Sequence, residues 1–253
     1  MNTEPKQSFL RTTFLFIRSL IFSLSMMIVT VIQSVFCFLC SPFPLRYRYA
    51  LIANYNRMII WLLKAICGVK YKIEGLENIP KDYNGIILSK HQSTWETLLL
   101  PTIFYQPAII LKKELFWVPF FGWGLATIDP IAIDRKNKAS AMEQIIQKGK
   151  KCLAEKRWIL VFPEGTRIPV GKVGKYHLGG ARLAVATERA IIPVAHDAGR
   201  YWPRRKFIKQ PGTVHMVIGE LLETKDRKPE EVMEQVKDWI ENTVLRIEAE
   251  RVK

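Results

Sequence analysis

The feature that most restricts what this chain can fold into is an uncharged apolar run near its N-terminus. Residues 19–40 read SLIFSLSMMIVTVIQSVFCFLC, with Gln33 as their single amide. Roughly 20 apolar residues in helical form suffice to cross the hydrocarbon core of a bilayer. The run is longer than the apolar part of a secretory signal peptide, and no A-x-A-like cleavage site follows it. We therefore expect a membrane helix that is retained in the mature protein.

A second apolar segment follows the turn SPFPLR. Residues 49–69, YALIANYNRMIIWLLKAICGV, are interrupted by the polar side chains of Asn54, Asn56, Arg57 and Lys64. Polar groups are costly inside a bilayer, so an interfacial or re-entrant helix is favoured over a second full span. Basic residues lie on both sides of the first run, so the positive-inside rule gives a single span no orientation. Two helices that enter one leaflet and return would remove this conflict, and a helical pair buried on a soluble core is the alternative.

The net charge of +15 indicates an anionic partner. Nucleic acid, acidic lipid, a phosphorylated substrate and an acidic carrier protein all fit such a charge. A membrane anchor disfavours nucleic acid among them. Cys37 and Cys40 form a C-x-x-C inside the apolar run, where neither a redox motif nor a zinc site is expected. With no sign of disulfides, we expect a reducing, cytosol-facing setting.

From residue 70 onward, short apolar strands alternate with amphipathic helices. Strands are expected at 71–73, 85–88, 108–112, 126–133, 158–162, 191–195 and 213–218, and helices at 94–104, 140–155, 178–189 and 229–250. This alternation predicts an α/β fold, a mixed sheet flanked by helices. The expected organisation is a membrane-associated helix pair over residues 1–69 and an α/β domain over residues 70–253. Ligands of such folds gather at the carboxyl ends of the strands.

A histidine follows the strand expected at 85–88, in the stretch IILSKHQSTWETLLL. Ser93 and Glu96 fit the helix-capping pattern S-x-x-E, and a carboxylate at the third helical position points back towards His91. In one interpretation Glu96 only closes the cap and His91 is a polar turn residue. In the other, Glu96 also accepts a hydrogen bond from one imidazole nitrogen and leaves the other free as a base. The five-residue step does not suit a helical zinc pair.

A second polar loop, FPEGTR at residues 162–167, follows the strand expected at 158–162. Gly165 permits close backbone approach, Thr166 offers a hydroxyl, and Arg167 offers the bidentate guanidinium suited to phosphate. Taken alone, the loop is equally typical of an ordinary turn with a surface arginine. Together, the two loops predict one site that holds a phosphate and deprotonates a group beside it.

These loops carry a resemblance to a known family. H-x4-[D/E] at residues 91–96, KKELFWVPFFGW with IAIDR between 112 and 135, FPEGTR and IIPVAHDAG at 191–199 occur in order. They resemble the four sequence blocks of the 1-acylglycerol-3-phosphate acyltransferases of bacterial type, and the N-terminal helix pair is also similar to theirs. The family usually has Asp in place of Glu96 and often Asn in place of Lys90. A lysine beside the base would favour neutral imidazole through the proximity of like charges.

The resemblance implies the transfer of an acyl group from a thioester to the sn-2 hydroxyl of lysophosphatidate, which gives phosphatidate in phospholipid biosynthesis. The donor would be acyl-CoA or acyl-acyl carrier protein, and no metal or other cofactor is expected. His91 is implied as the base and Glu96 as the carboxylate that orients it. The residues implied in substrate binding are Lys112, Arg135, Glu164, Gly165, Thr166 and Arg167, with the phosphate held by the three basic ones.

We further expect a membrane location with the catalytic domain facing the cytoplasm, at the inner membrane if the source is bacterial. Other basic residues predict a surface that docks acidic membrane lipids or the carrier protein, and interleaved aromatic residues favour the membrane interface. This predicted surface comprises Lys172, Lys175, Arg182 and the run RYWPRRKFIK at residues 200–209. His177, His196 and His215 have no carboxylate at a useful sequence spacing and are interpreted as structural.

Two functions of other classes remain open at this point. An esterase or thioesterase would use Ser93, His91 and Glu96 with water as the acceptor. A non-catalytic lipid-binding protein would need Arg167 and the membrane helices but no base. Within the acyltransferases, glycerol-3-phosphate or another lysophospholipid is the alternative acceptor.

Overall fold

The computed structural model describes residues 9–133 and 138–252. The helices in these ranges are α1 Phe9–Leu39, α2 Leu45–Cys67, α3 Trp95–Ile103, α4 Phe121–Ala126, α5 Lys138–Ala154, α6 Gly179–Thr187 and α7 Pro229–Val252. The strands are β1 Val69–Glu74, β2 Ile86–Ser89, β3 Ala108–Lys112, β4 Ile131–Ile133, β5 Ile159–Val161, β6 Ile191–His196 and β7 Gly212–Ile218.

The strands form one mixed sheet in the order β1-β7-β6-β2-β5-β3-β4. Strands β2 to β6 run parallel to one another, whereas β7 pairs antiparallel to β6 and carries β1 parallel to itself. The predicted mixed sheet flanked by helices is therefore confirmed. Because β2, β5 and β6 are parallel neighbours, the loops that follow them lie at the same edge of the sheet.

Side chains alternate between the two faces of the sheet, as the pleat of a strand requires. Ile87, Leu160 and Ile192 point to one face, where they pack with α2, α3 and Phe22 of α1. Their chain neighbours, such as Ile86, point to the other face, under α5, α6 and α7. Burial on both faces explains why the central strands are apolar throughout rather than alternating.

The prediction of a strand at 126–133 is wrong for most of these residues. Residue 126 ends the short helix α4, and only Ile131–Ile133 pair in the sheet. Asp129 takes a φ of 50° before Pro130. A left-handed residue followed by proline interrupts the extended conformation, so the strand begins only after this pair.

The helices α1 and α2 form an antiparallel pair. Arg18 donates to the carbonyl of Ile66 at one end, and the hydroxyls of Thr30 and Tyr55 lie 2.8 Å apart further along. Both helices are long and apolar enough to cross a membrane by length and composition. On α1 the buried side chains form one narrow stripe, and large apolar side chains such as Leu24 and Phe38 are exposed.

The second helix is packed more deeply than the first. Ile59 and Leu63 of α2 belong to the same core as the central strands. One side of α2 is therefore packed against the domain, as the alternative interpretation predicted. The outer surface of α1, in contrast, is apolar and exposed. Together these features are consistent with membrane association of the helix pair.

Some residues of the predicted basic surface are buried. In the run 200–209, Tyr201, Trp202 and Lys209 are buried, and Phe207 remains 42% exposed. The Lys209 ammonium donates to Ser23 Oγ at 3.1 Å and to the carbonyl of Phe207 at 2.9 Å. Part of the run therefore packs beneath α1. Fewer of its cations are available to a partner than the sequence predicted.

Candidate active site

The site begins where β2 ends, at His91. Its backbone N–H donates to Glu164 Oε2 at 2.9 Å, and its carbonyl accepts from the backbone N–H of Ile168 at 2.8 Å. Both backbone groups of His91 are thus bound by the loop that follows β5. The expectation that the two polar loops form one site is met by these two hydrogen bonds.

Glu96 holds the imidazole of His91. The Nδ1 atom of His91 lies 2.8 Å from Glu96 Oε1, so the predicted hydrogen bond is confirmed. The same oxygen accepts the backbone N–H groups of Gln92 at 3.0 Å and Ser93 at 2.8 Å. Helix α3 begins at Trp95, one residue later than the capping pattern predicted, and the carboxylate reaches back over the preceding turn. Glu96 therefore accepts hydrogen bonds from the backbone of the turn and also fixes the orientation of the His91 ring.

The surroundings of Glu96 keep its carboxylate ionised. Complete burial raises its pKa, but the nearby imidazoles of His196 and His91 and the N–H of Ser93 more than offset this, and the pKa lies below its ordinary value. A carboxylate accepts hydrogen bonds only, so Nδ1–H of His91 is the donor here, and in the neutral form of the ring Nε2 has the lone pair. The ring stacks on Phe162 with centroids 4.1 Å apart, and the side chain is 14% exposed. This is the arrangement of a positioned base.

Two histidines interpreted as lacking a carboxylate do have one nearby in space. His196 Nε2 lies 3.9 Å from Glu96 Oε2, and His215 Nε2 lies 2.7 Å from Glu74 Oε1. His196 donates from Nε2 to the carbonyl of Lys90 at 2.8 Å and accepts the N–H of Ala198 at Nδ1. These two hydrogen bonds fix the orientation of its ring behind the turn that carries His91. The sequence spacing missed both pairs because their partners come from other strands and helices.

Lys90 binds the loop that follows β5 and the C-terminal helix. Its side chain is buried, and its ammonium lies 2.8 Å from Glu164 Oε1 and 2.7 Å from Glu241 Oε1 of α7. The hydroxyl of Tyr176 donates to the same oxygen of Glu241 at 2.7 Å. The charge of Lys90 is thus paired with two carboxylates, and its effect on His91 stays a prediction. The cluster also supports Glu164, which binds the backbone of His91.

Arg167 precedes Ile168, whose backbone N–H binds the carbonyl of His91. Burial and the guanidinium of Arg204 lower the pKa of Arg167, whereas the carboxylate of Glu96 raises it. The guanidinium of Arg167 therefore interacts electrostatically with both Glu96 and Arg204. Arg204 donates to the carbonyl of Arg167 at 2.9 Å. Sequence reasoning missed Arg204 as a member of the site, since it was one of several arginines in a basic run. This hydrogen bond brings a second guanidinium to the loop that carries Arg167, and two cations at one loop suit an anionic substrate group.

The other residues predicted to bind substrate lie at different positions relative to His91. Gly165 takes a φ of 62° and donates to the carbonyl of Phe162, which closes the turn that presents Arg167. Thr166 is exposed on this turn, and Lys112 is exposed at the carboxyl end of β3, on the same edge of the sheet. Arg135 lies outside the described residues, two positions after the end of β4.

Ser93 is not placed as a nucleophile. Its hydroxyl donates to the carbonyl of Trp202 at 2.6 Å and accepts the backbone N–H of Trp95 at 3.2 Å. The side chain is fully buried. A serine that is committed to a backbone carbonyl is not activated by His91, so the arrangement disfavours a hydrolytic triad. Within residues 9–133 and 138–252, no group of three metal-ligating side chains comes together.

The chain is similar in sequence and fold to known proteins. The chain matches the family model described as "Acyltransferase" over residues 70–197. It is 44% identical over 209 residues to the 1-acyl-sn-glycerol-3-phosphate acyltransferase of Pseudomonas aeruginosa, covering 81% of this chain and 80% of that protein. A Cocos nucifera protein of the same name is 26% identical over 218 residues, covering 83% of this chain and 68% of that protein. The crystal structure of the Thermotoga maritima 1-acyl-sn-glycerophosphate (LPA) acyltransferase PlsC superposes with a TM-score of 0.78 at 26% identity, covering 92% of this chain and 95% of that one.

Proposed function

The chain belongs to the 1-acyl-sn-glycerol-3-phosphate acyltransferase family, and from this premise we propose how its own residues carry out the reaction. The enzyme transfers a fatty acyl group from an acyl thioester to the sn-2 hydroxyl of lysophosphatidate and forms phosphatidate. The observation that carries the residue-level proposal is the hydrogen bond between His91 Nδ1 and Glu96 Oε1. It leaves one imidazole nitrogen free beside a loop that bears Arg167.

In the proposed chemical step, His91 acts as the general base. Its Nε2 takes the proton of the sn-2 hydroxyl while the hydroxyl oxygen attacks the carbonyl carbon of the thioester. When the carbon–sulfur bond breaks, the imidazolium returns the proton to the departing thiolate. Glu96 stabilises the imidazolium through the Nδ1 hydrogen bond. General-base assistance of this kind typically contributes ~10²–10⁴-fold to the rate.

Arg167 is proposed to hold the phosphate of lysophosphatidate. Its guanidinium can bind two phosphate oxygens at once, and Arg204 adds a second positive charge beside it. Glu164, Gly165 and Thr166 shape the loop, and Lys112 and Arg135 are proposed as further phosphate contacts. Fixing the phosphate orients the sn-2 hydroxyl towards His91, which makes a two-substrate reaction effectively intramolecular.

The acyl donor, the location and the remaining partners belong to the proposal as well. The donor is acyl-CoA or acyl-acyl carrier protein, and no metal or further cofactor takes part. The pair α1 and α2 is proposed to enter one leaflet and return, because its antiparallel packing brings Arg18 of α1 back beside Ile66 of α2. The catalytic domain then faces the cytoplasm, at the inner membrane of a bacterial cell, next to acidic lipids.

The proposal is tested by product analysis on membranes that contain the protein. Radiolabelled acyl-CoA and acyl-acyl carrier protein are supplied in parallel, with lysophosphatidate or glycerol-3-phosphate as acceptor. Phosphatidate from lysophosphatidate is the expected product, and the faster donor is thereby identified. Release of free fatty acid at the same rate without acceptor would instead support a thioesterase, and acylation of glycerol-3-phosphate would assign a different acceptor.

A further inference from the structure

Residues 115–123, here called the aromatic segment, expose a series of large apolar side chains. Trp117 is 85% exposed and Trp123 is 53% exposed. The other exposed members are Leu115, Val118, Phe120 and Phe121. Contiguous exposed apolar patches on a folded surface mark interaction sites. The proposed acyl-transfer step assigns no role to these side chains, so their exposure requires a separate explanation.

The aromatic segment has a defined shape. A Cβ at Gly122 would lie 2.3 Å from the carbonyl oxygen of Phe116, so this glycine lets the chain fold back against the preceding turn. Phe120 takes a φ of 62°, which is rare for an aromatic residue, and its carbonyl accepts the hydroxyl of Ser34 at 2.7 Å. The outward rings are therefore presented by a turn that is fastened to α1.

The aromatic segment also connects two functional parts of the molecule. It begins just after Lys112, where β3 ends at the active-site edge of the sheet. It ends in α4, which packs against α1. Next to the Ser34 contact on α1, Val35 is 53% exposed and Phe38 is 71% exposed. The aromatic segment thus continues the exposed apolar surface of α1 towards the active site.

We propose that the aromatic segment inserts into the boundary between headgroups and acyl chains of the bilayer, so that lysophosphatidate reaches His91 from the membrane. Tryptophan prefers this boundary because its ring is apolar and its N–H is polar. Lipid is the occupant because the patch is continuous with α1, a helix long and apolar enough to cross a bilayer. The inference rests on the membrane association proposed for the helix pair and adds a second insertion element next to the active site.

The test compares two acceptors of the same chemistry. The full chain is reconstituted in phosphatidylethanolamine–phosphatidylglycerol vesicles and is supplied either with long-chain lysophosphatidate embedded in the vesicles or with a short-chain, water-soluble lysophosphatidate. The variant is Trp117→Ser/Trp123→Ser. The matched control is Tyr105→Ser/Leu245→Ser, which removes two side chains that are 60% and 63% exposed elsewhere on the domain.

The aromatic variant is expected to lose about tenfold or more in kcat/KM with the embedded acceptor and less than about twofold with the soluble one. The control is expected to change neither value. Equal losses with both acceptors, or no loss with either, would overturn the inference. A second readout does not need turnover: vesicle lipids with brominated acyl chains should quench the fluorescence of the wild type more than that of Trp117→Phe. Equal quenching would overturn the inference even if the proposed acyl transfer itself failed.

Discussion

The ammonium of Lys90 lies 2.7 Å from Glu241 Oε1, although the two residues are 151 positions apart in the chain. Lys90 directly precedes His91, and Glu241 lies on the C-terminal helix α7. The same ammonium also binds Glu164, whose other oxygen accepts the backbone N–H of His91. The C-terminal helix therefore supports the catalytic turn through one buried cation.

Replacing Lys90 with methionine should destabilise the protein strongly. Glu164 and Glu241 would face each other without a cation, and breaking a buried ion pair costs about 3–5 kcal/mol in the free energy of unfolding. Denaturant unfolding of the detergent-solubilised chain measures this loss. Lys90→Met/Glu241→Leu should recover part of it, because the second change removes one of the two stranded carboxylates.

The control for this comparison is Lys148→Met, which removes an exposed lysine of α5. It should leave the free energy of unfolding nearly unchanged. If Lys90→Met/Glu241→Leu is destabilised by the full sum of the two single changes, the residues are not coupled and the ion pair has no structural weight.

Glu96 should make the stability of the protein depend on acidity. Its pKa in the folded chain lies below the ordinary value of 4.5, so the unfolded chain takes up a proton first as the pH falls. The ionised carboxylate therefore contributes stability that is fully present above that ordinary value and is lost as the pH falls through the folded value. The melting temperature of the wild type should exceed that of Glu96→Gln at about pH 7, and the difference should shrink once the pH falls below about 4.5, towards about pH 3. A constant difference across this range would contradict the assignment.

Removing the guanidinium of Arg167 should weaken the use of acceptors that carry a phosphate. Loss of a charge-assisted hydrogen bond costs about 1.5–3 kcal/mol, so kcat/KM of Arg167→Gln should fall about 10- to 100-fold. Arg167→Lys should fall less, since it keeps the charge but not the bidentate geometry. Steady-state kinetics with lysophosphatidate provides the measurement, and Lys148→Gln provides the same change of charge away from the site. An unchanged kcat/KM in Arg167→Gln would remove this residue from phosphate binding.

Ser93→Ala separates the transferase from a serine hydrolase. The hydroxyl binds the carbonyl of Trp202, and a buried acceptor that loses its partner costs about 1–3 kcal/mol in the free energy of unfolding. Phosphatidate formation at a temperature where the variant is folded should stay close to that of the wild type. Complete loss of turnover in a folded Ser93→Ala, together with labelling of wild-type Ser93 by a serine-directed reagent, would restore the covalent mechanism.

Local patterns in the sequence were sufficient to predict the hydrogen bond between His91 and Glu96. His91 and Glu96 lie on one turn and the first turn of a helix, where the direction of a helical side chain already brings the carboxylate towards the histidine. The alternation of apolar and polar segments likewise predicted the sheet and its flanking helices. The presence of each strand and helix depends on residues close in the chain, whereas the pairing of the strands, such as Val69 with Gly212, does not.

Contacts between residues far apart in the chain could not be predicted from the sequence. The position of Glu241 beside Lys90 depends on how α7 crosses the sheet, and nothing near either residue indicates it. Lys209 appeared as one of many surface cations, yet it lies buried beneath α1, where Ser23 and the carbonyl of Phe207 accept its hydrogen bonds. Arg204 joins Arg167 only because two long loops meet at the active-site edge. In each case the sequence gives residue type but not the tertiary partner that decides its role.

The most direct test of the account is the rate of phosphatidate formation by His91→Ala, measured with radiolabelled acyl donor and lysophosphatidate. The variant loses one hydrogen bond to Glu96, but the backbone N–H groups of Gln92 and Ser93 still bind that carboxylate and the N–H of residue 91 still binds Glu164, so it should fold with a modestly lowered melting temperature. The rate should fall by ~10²–10⁴-fold, the usual contribution of a general base. Phosphatidate formed at the wild-type rate by the folded variant would contradict the assignment of His91 as the base.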